Sequence, residues 1–462
     1  MLFNSVAFLF GFLPIAYVVF WTLRSTQARY AWLAITGYVF YSYWNPWFCL
    51  LMAFSTLVSF TAGLGMLRWP TGPRRRLCLV VPIVVDLSLL GFFKYANFAT
   101  ATVTDLSRAA GVALRIPHLD IILPIGISFY TFHTISYIVD SYRGTIRPTR
   151  NLVEFAAYVS LFSQLVAGPI VRFRQIEADL EALGDQDRTR WIRPGIALLI
   201  VGLVEKVLVA DTLAAWVDPA LAAWRTLSTA GAWTAMLGYT LQLYFDFSGY
   251  STMAVGLGLL FGLRIPQNFR SPYKALDPSD FWQRWHISLS SCLRDYLYIP
   301  LGGNRGSTLA TYRNLMLTML IGGLWHGASW TFVVWGAYHG ALLSAYRAGA
   351  AWWDPIPARV RQLAMFVLVL LGWVLFRATS FAMAAGLFAT MVHRVPGAPP
   401  PILGVTVVVL AIAAWWALIG PGSFELRFTW RLPTRIALTA GLAAALALIV
   451  TARPSPFLYF QF

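Results

Sequence analysis

Apolar runs of membrane-crossing length, separated by short basic or Pro- and Gly-containing stretches, recur along the whole chain. A helix rises ~1.5 Å per residue, so a hydrocarbon core of ~30 Å is crossed by about 20 residues. Ser5 to Leu23 has that length. No Lys or Arg precedes it and no small-residue cleavage site follows a short apolar core, so it reads as a retained span and not a removable signal peptide. Tyr30 to Leu67 would be roughly 57 Å long as one helix. Proline disfavours helix at the residue before it, so Asn45-Pro46 is expected to divide this run into two passes. Arg24 and Arg29 then fall on the same side as Arg68, Arg74, Arg75 and Arg76, which makes that side cytoplasmic and the N-terminus periplasmic.

Further apolar segments follow at about Leu77 to Tyr95, Ile121 to Val139, Phe155 to Ile170, Ile192 to Ala210, Trp233 to Leu263, Tyr312 to Tyr346, Gln362 to Phe376, Ile402 to Ile419 and Ile436 to Val450. The pattern predicts an all-α, polytopic membrane protein with about 11 transmembrane helices, plus shorter re-entrant or in-plane helices around a central tunnel. Composition agrees: hydrophobic residues make up 58% and charged residues 12%, against about 25% charged in globular chains. That is too little polar surface for a water-facing body, and it excludes a soluble enzyme and a disordered chain. The 20 Trp, 20 Tyr and 32 Phe suit aromatic belts at the headgroups. The charge of +16, from 35 basic and 19 acidic residues, sits in short arginine runs between apolar segments. It therefore reads as a topology signal that meets anionic lipid, with no nucleic-acid partner. Cys49, Cys78 and Cys292 show neither disulfide nor metal-ligand spacing. No interval is long enough for a separate soluble domain, so residues 1–462 read as one membrane domain.

Chemistry is sought among polar groups that a bilayer normally rejects. Tyr312 to Tyr346 would be roughly 52 Å long as one helix, and its middle reads GGLWHGASW over residues 322–330. The glycines weaken a helix there, so a break near His326 is expected, with Trp325 and Trp330 walling an interior space. The alternative is a core histidine bonded to a neighbouring carbonyl, with Gly322 and Gly323 serving close helix packing. A second helix is expected from Ser279 to about Ile299, capped by Asp277 with Pro278 in its first turn. Phe281, Trp285, Leu289, Leu293 and Tyr296 form its apolar face, and Gln283, His286, Ser290 and Arg294 form a polar stripe. Such a helix either lines a polar tunnel or lies at the membrane interface.

FWQRWHISLS at 281–290, LRDYLYIPLGG at 293–303 and GGLWHGASW at 322–330, in that order, resemble the bacterial branch of the membrane-bound O-acyltransferase family. DFSGYS at 246–251, FGLRIPQNFRSPY at 261–273, SFYTFHTISYIVDSYRG at 128–144, QLVAGPIVRF at 164–173 and the terminal SPFLYFQF extend the likeness, which is densest over about 121–346. Ser291-Cys292 departs from the bulky aromatic expected there, which bears on local packing or acyl-chain fit. The resemblance implies an inner-membrane enzyme that moves an acyl group, acetyl from acetyl-CoA, from a cytoplasmic thioester toward a hydroxyl of an extracytoplasmic polysaccharide, with a periplasmic partner protein and no bound cofactor. It makes His326 the catalytic histidine and His286 a second tunnel histidine.

The residues themselves suit that chemistry, since a neutral imidazole in a tight cavity can take the proton of an attacking hydroxyl. Trp325, Trp330, Ser329, Arg294 or backbone N–H groups near the glycines are candidate donors to a developing oxyanion. Asp246 could orient a histidine, line the tunnel or hold a helix turn. Asp140, Glu205 and Lys206 suit acid–base pairing in assembly, Cys292 is a weaker candidate for an acyl-cysteine, and His118, His133, His339 and His393 read as structural. The competing functional classes are a polytopic transporter or flippase and a non-catalytic scaffold of a polysaccharide export complex.

Overall fold

The computed structural model describes residues 1–112, 114, 116–166, 168–185, 187–397, 402, 404–426, 428–451 and 457–458. Every regular element among them is helical. Of the quoted motifs, Ala167 and all of the terminal SPFLYFQF except Phe457 and Leu458 lie outside the described residues. Four helical runs are long and apolar enough to cross a membrane: Phe48–Arg68, Pro73–Ala109, Ala358–Arg377 and Leu432–Thr451. Ala7–Thr22, Phe381–Val392 and Gly404–Leu418 are apolar but shorter. The helices group into two compact units.

The first unit comprises Met1–Leu2, Ala7–Ile192 and Gly258–Pro266. Its main helices are α1 (Thr26–Ser42), α2 (Phe48–Arg68), α3 (Pro73–Leu90), α4 (Ile127–Arg143) and α5 (Leu152–Val159). The chain turns between α1 and α2 at Asn45-Pro46, where the Asn45 Oδ1 accepts the Trp47 N–H at 3.0 Å. A carboxylate inside apolar sequence needs donors. Asp86 on α3 accepts from Ser55 Oγ at 2.6 Å and Thr134 Oγ1 at 2.7 Å, which ties α2, α3 and α4 together. The apolar stretch from Phe155 to Ile170 is not one continuous helix. Helix α5 stops at Val159 and the single turn Phe162–Leu165 follows. Backbone-directed side chains end the helix: Ser160 Oγ donates to Ala156 O at 2.7 Å and Gln164 Nε2 to Tyr158 O at 2.7 Å.

The second unit comprises Phe3–Val6, Arg193–Leu257 and Gln267–Phe462. Up to Leu257 it holds α6 (Thr229–Leu260), followed by α7 (Pro278–Arg284), α8 (Ile287–Leu293), α9 (Thr308–His326), α10 (Trp330–Trp353), α11 (Ala358–Arg377) and α12 (Leu432–Thr451). Buried charges here are matched. Lys206 Nζ bonds Asp211 at 2.7 Å and Asp246 at 2.5 Å. Glu205 accepts from Ser248 and Thr252, each at 3.2 Å, and from Ser423. Helices α9 and α10 pack backbone to backbone: a Cβ on Gly323 would run into the Phe332 carbonyl oxygen and lie 3.1 Å from the Gly336 Cα. Small residues permit this approach where dispersion and not water exclusion drives association.

Candidate functional site: two buried histidines at two helix breaks

All side chains described below belong to the second unit. Helix α9 ends on His326, Gly327 takes an extended conformation, and Ser329 opens α10 by accepting the Thr331 N–H at its Oγ, 3.3 Å away. The break thus falls where the glycines predicted it. His326 is 3% exposed, and its Nδ1 lies 2.6 Å from Gly322 O. A carbonyl oxygen only accepts, so Nδ1 carries the hydrogen and the neutral ring presents the lone pair of Nε2.

The second break corrects the expected continuous helix from Ser279 to Ile299. Asp277 does cap α7, accepting the Asp280 N–H at 2.8 Å. The helix then stops at Arg284, and His286 sits in the left-handed region at φ 45°, ψ 54° before α8 begins. Outside glycine that conformation costs about 1–2 kcal/mol. It persists because the flanking backbone is bonded elsewhere: Arg270 N–H donates to Arg284 O at 3.0 Å, and Ile287 N–H to Asn268 O at 2.9 Å. His286 is fully buried and caps α8, its Nδ1 accepting the Leu289 N–H at 3.2 Å. Nδ1 is therefore the acceptor, and the neutral ring carries its hydrogen on Nε2. The two imidazoles stand nearly perpendicular, with centroids 6.3 Å apart, and are held in opposite tautomers.

The polar stripe is dispersed by this break. Gln283 and Arg294 are exposed, Arg294 pairing with Asp295 at 2.7 Å, and Ser290 Oγ donates to Trp285 O at 3.0 Å. Trp325 meets both histidine rings edge-on, 5.1 Å from His326 and 5.8 Å from His286. Trp330 starts α10 and is 48% exposed. Asp246 is buried, held by Lys206 and by the Leu458 N–H at 3.0 Å.

Several ring contacts around the histidines lie outside the pattern of the sequence. Trp335 lies 4.9 Å from His326 and 4.9 Å from His339, and Phe376 lies 5.6 Å from His326. Phe247, inside DFSGYS, lies 4.7 Å from His286. Trp335 and His339 are four residues apart on α10 and so share a face. That signal was present in the chain, whereas Phe376 and Phe247 are brought in only by tertiary packing.

The model of the family described as MBOAT, membrane-bound O-acyltransferase, matches residues 145–385. The protein named "Probable alginate O-acetylase AlgI" of Pseudomonas aeruginosa is 45% identical over 399 residues, 85% of this chain and 75% of that one. The peptidoglycan O-acetyltransferase of Helicobacter pylori is 36% identical over 425 residues, 85% of this chain and 80% of that one. The teichoic acid D-alanyltransferase of Bacillus subtilis is 28% identical over 246 residues, 51% of this chain and 62% of that one. With a likeness of that extent and the apolar helices described above, the chain belongs to the membrane-bound O-acyltransferase family and is an O-acyltransferase.

Proposed function

We propose that this protein moves an acetyl group from a cytoplasmic acetyl-CoA thioester toward a hydroxyl of an extracytoplasmic polysaccharide, with a periplasmic partner protein completing delivery to the polymer. The relatives named for alginate, peptidoglycan and teichoic acid support a polyhydroxylated cell-surface glycan as acceptor. In this reading residues 1–462 form one domain of the bacterial inner membrane, with about 11 crossings, a central tunnel and a periplasmic N-terminus.

The observation that carries the proposal is the pair of buried imidazoles in opposite tautomers. The Nε2 of His326 takes the proton of the attacking hydroxyl as its oxygen bonds to the thioester carbonyl carbon. The Nε2–H of His286 faces the opposite task, donating to the oxyanion that forms. When the carbon–sulfur bond breaks, the proton held by His326 passes to the leaving thiolate, so ester and free thiol are formed with no net proton change. Trp325, Trp330, Ser329, Gln283, Ser290, Arg294 and Asp246 complete the proposed substrate path. The near-complete burial of both rings keeps water from the thioester, and entry of substrate requires surrounding side chains to part.

Purified full-length protein, supplied with labelled acetyl-CoA and a hydroxyl acceptor or its partner, should consume the thioester. His326→Ala should lower turnover by about 10²–10⁴-fold, the usual worth of a positioned base, in a protein that still folds, with an unfolding temperature in detergent lowered by the lost ring contacts. Turnover at the wild-type rate in that variant would remove His326 from catalysis. Solute counterflow in proteoliposomes without thioester consumption would favour the transporter.

A further inference from the structure

Three of the motifs quoted from the sequence each contain a residue with no role in the chemistry above: Ser251 of DFSGYS, Asn268 of FGLRIPQNFRSPY and Ser288 of FWQRWHISLS. They meet at one fully buried side chain, Asn268. Its Oδ1 accepts both the Ser288 N–H, at 3.1 Å, and the Ser288 Oγ–H, at 2.9 Å. Its Nδ2 donates to Ser251 Oγ on α6 at 3.3 Å. Its backbone carbonyl takes the Ile287 N–H at 2.9 Å, and two residues later Arg270 N–H bonds Arg284 O. The segment 268–270 therefore grips the chain on both sides of His286. Ile287 and Ser288 are the first two residues of α8, whose remaining orphan N–H at Leu289 goes to His286 Nδ1.

From this we infer that Asn268 is a positioning residue for the acyl transfer. By holding Ile287 and Ser288 it keeps His286 left-handed with Nδ1 over the Leu289 N–H, and so fixes the hydrogen of the ring on Nε2. Without the Asn268 acceptor, Ser288 and Leu289 compete for new partners, and the backbone at His286 relaxes toward the right-handed helix that its sequence favours. The imidazole then loses both its direction and its single tautomer. This inference rests on the proposed acyltransferase chemistry only for its kinetic consequence, since the tautomer is a property of the resting protein.

The test compares Asn268→Ala, Asn268→Asp and His286→Ala in the full-length protein. Aspartate keeps an oxygen for Ser288, and its second oxygen can accept from the Ser251 hydroxyl. The expected result for Asn268→Ala is a fall in kcat of about 10-fold or more with unchanged KM for acetyl-CoA, the size of effect that a small misplacement produces. Asn268→Asp should stay within about 3-fold of wild type, and adding Asn268→Ala to His286→Ala should change kcat by less than about 2-fold, because the two act as one unit. Solid-state 15N spectra of histidine-labelled protein, with the His286 signals identified by their loss in His286→Ala, read the tautomer directly. Wild type and Asn268→Asp should show an unprotonated Nδ1, and Asn268→Ala a mixture of both forms.

A full additional loss from Asn268→Ala in the His286→Ala background would overturn the inference, as would an unchanged His286 spectrum in Asn268→Ala. If the alanine variant does not fold, an Asn268→Asp protein that folds but is as slow as His286→Ala overturns it equally. Absence of thioester consumption in the wild type would count against the acyltransferase reading alone, because the spectra still decide the role of Asn268.

Discussion

The two helix breaks that carry His326 and His286 solve the same problem in opposite ways. At His326 the chain is locally weak: Gly322, Gly323 and Gly327 surround it, the backbone passes through Gly327 and Ser329 in extended conformations, and no residue of the break takes a positive φ. At His286 the local sequence is a good helix start without a glycine, and the residue that takes the left-handed conformation is the histidine itself. The first break arises from residues adjacent in sequence, and the second from hydrogen bonds to a segment some 20 residues upstream. In both cases the side chain next to the break is pinned at Nδ1, by a carbonyl at His326 and by an N–H at His286. At His286 the break leaves a first-turn N–H for the ring to accept, whereas at His326 the ring turns back onto the carbonyl four residues earlier, and the sign of the group each ring meets sets its tautomer.

The glycines at the first break are needed for space and not for backbone conformation. Gly327 has φ −160°, a value open to any residue, so its need is spatial: an added Cβ would collide with the Phe332 ring, which stacks edge-on against Phe376 at 4.9 Å. Gly323 is tighter still, because the obstacle is the backbone of α10. Gly323→Ala should therefore give the largest stability loss of the set, roughly 2–3 kcal/mol or more as overpacking against immovable atoms, read as a lowered unfolding midpoint in detergent. Gly327→Ala should cost less, about 1–2 kcal/mol, because a ring can rotate away. Its cost should appear also in kcat, since Phe332 would press on Phe376, which packs 5.6 Å from His326. If Gly323→Ala melts with the wild type, the close contact of α9 and α10 is not what shapes this break.

Legibility in the chain follows the same division. The all-helical membrane architecture, the turn at Asn45-Pro46, the cap at Asp277 and the break at His326 all depend on residues close in sequence, and each could be read from apolar run length, proline, a capping aspartate or a glycine cluster. The site itself was half legible. The polar stripe Gln283, His286, Ser290 and Arg294 obeys helical spacing, yet the helix that would align it is interrupted from outside, by Asn268 and Arg270. No periodicity can announce a hydrogen bond from a distant loop. The division of Phe155 to Ile170 is hidden for a related reason, because run length counts apolar residues and does not weigh a serine and a glutamine that bond back to the backbone.

The smallest expected change in stability is also the sharpest test of the difference between the breaks. Asparagine visits the left-handed region more readily than other residues with a Cβ, and its Oδ1 can accept the Leu289 N–H as a helix cap. His286→Asn should consequently keep the break and the start of α8. The ring contacts with Phe247 and Trp325 are lost, the strain at φ 45° is relieved, and the two effects oppose each other, so the unfolding free energy should stay within about 1 kcal/mol of wild type. Turnover should nonetheless fall by about 10²-fold, the loss typical of removing one oxyanion donor, because the amide is too short to replace Nε2–H. The same substitution cannot be neutral at His326, whose Nδ1 is a donor to Gly322 O and whose task falls to a basic nitrogen that asparagine lacks. A His286→Asn protein that melts like wild type and turns over like wild type would mean that the left-handed histidine serves the fold alone. One that melts like wild type but is slow would show that the strain at this break is maintained for the reaction and not for stability.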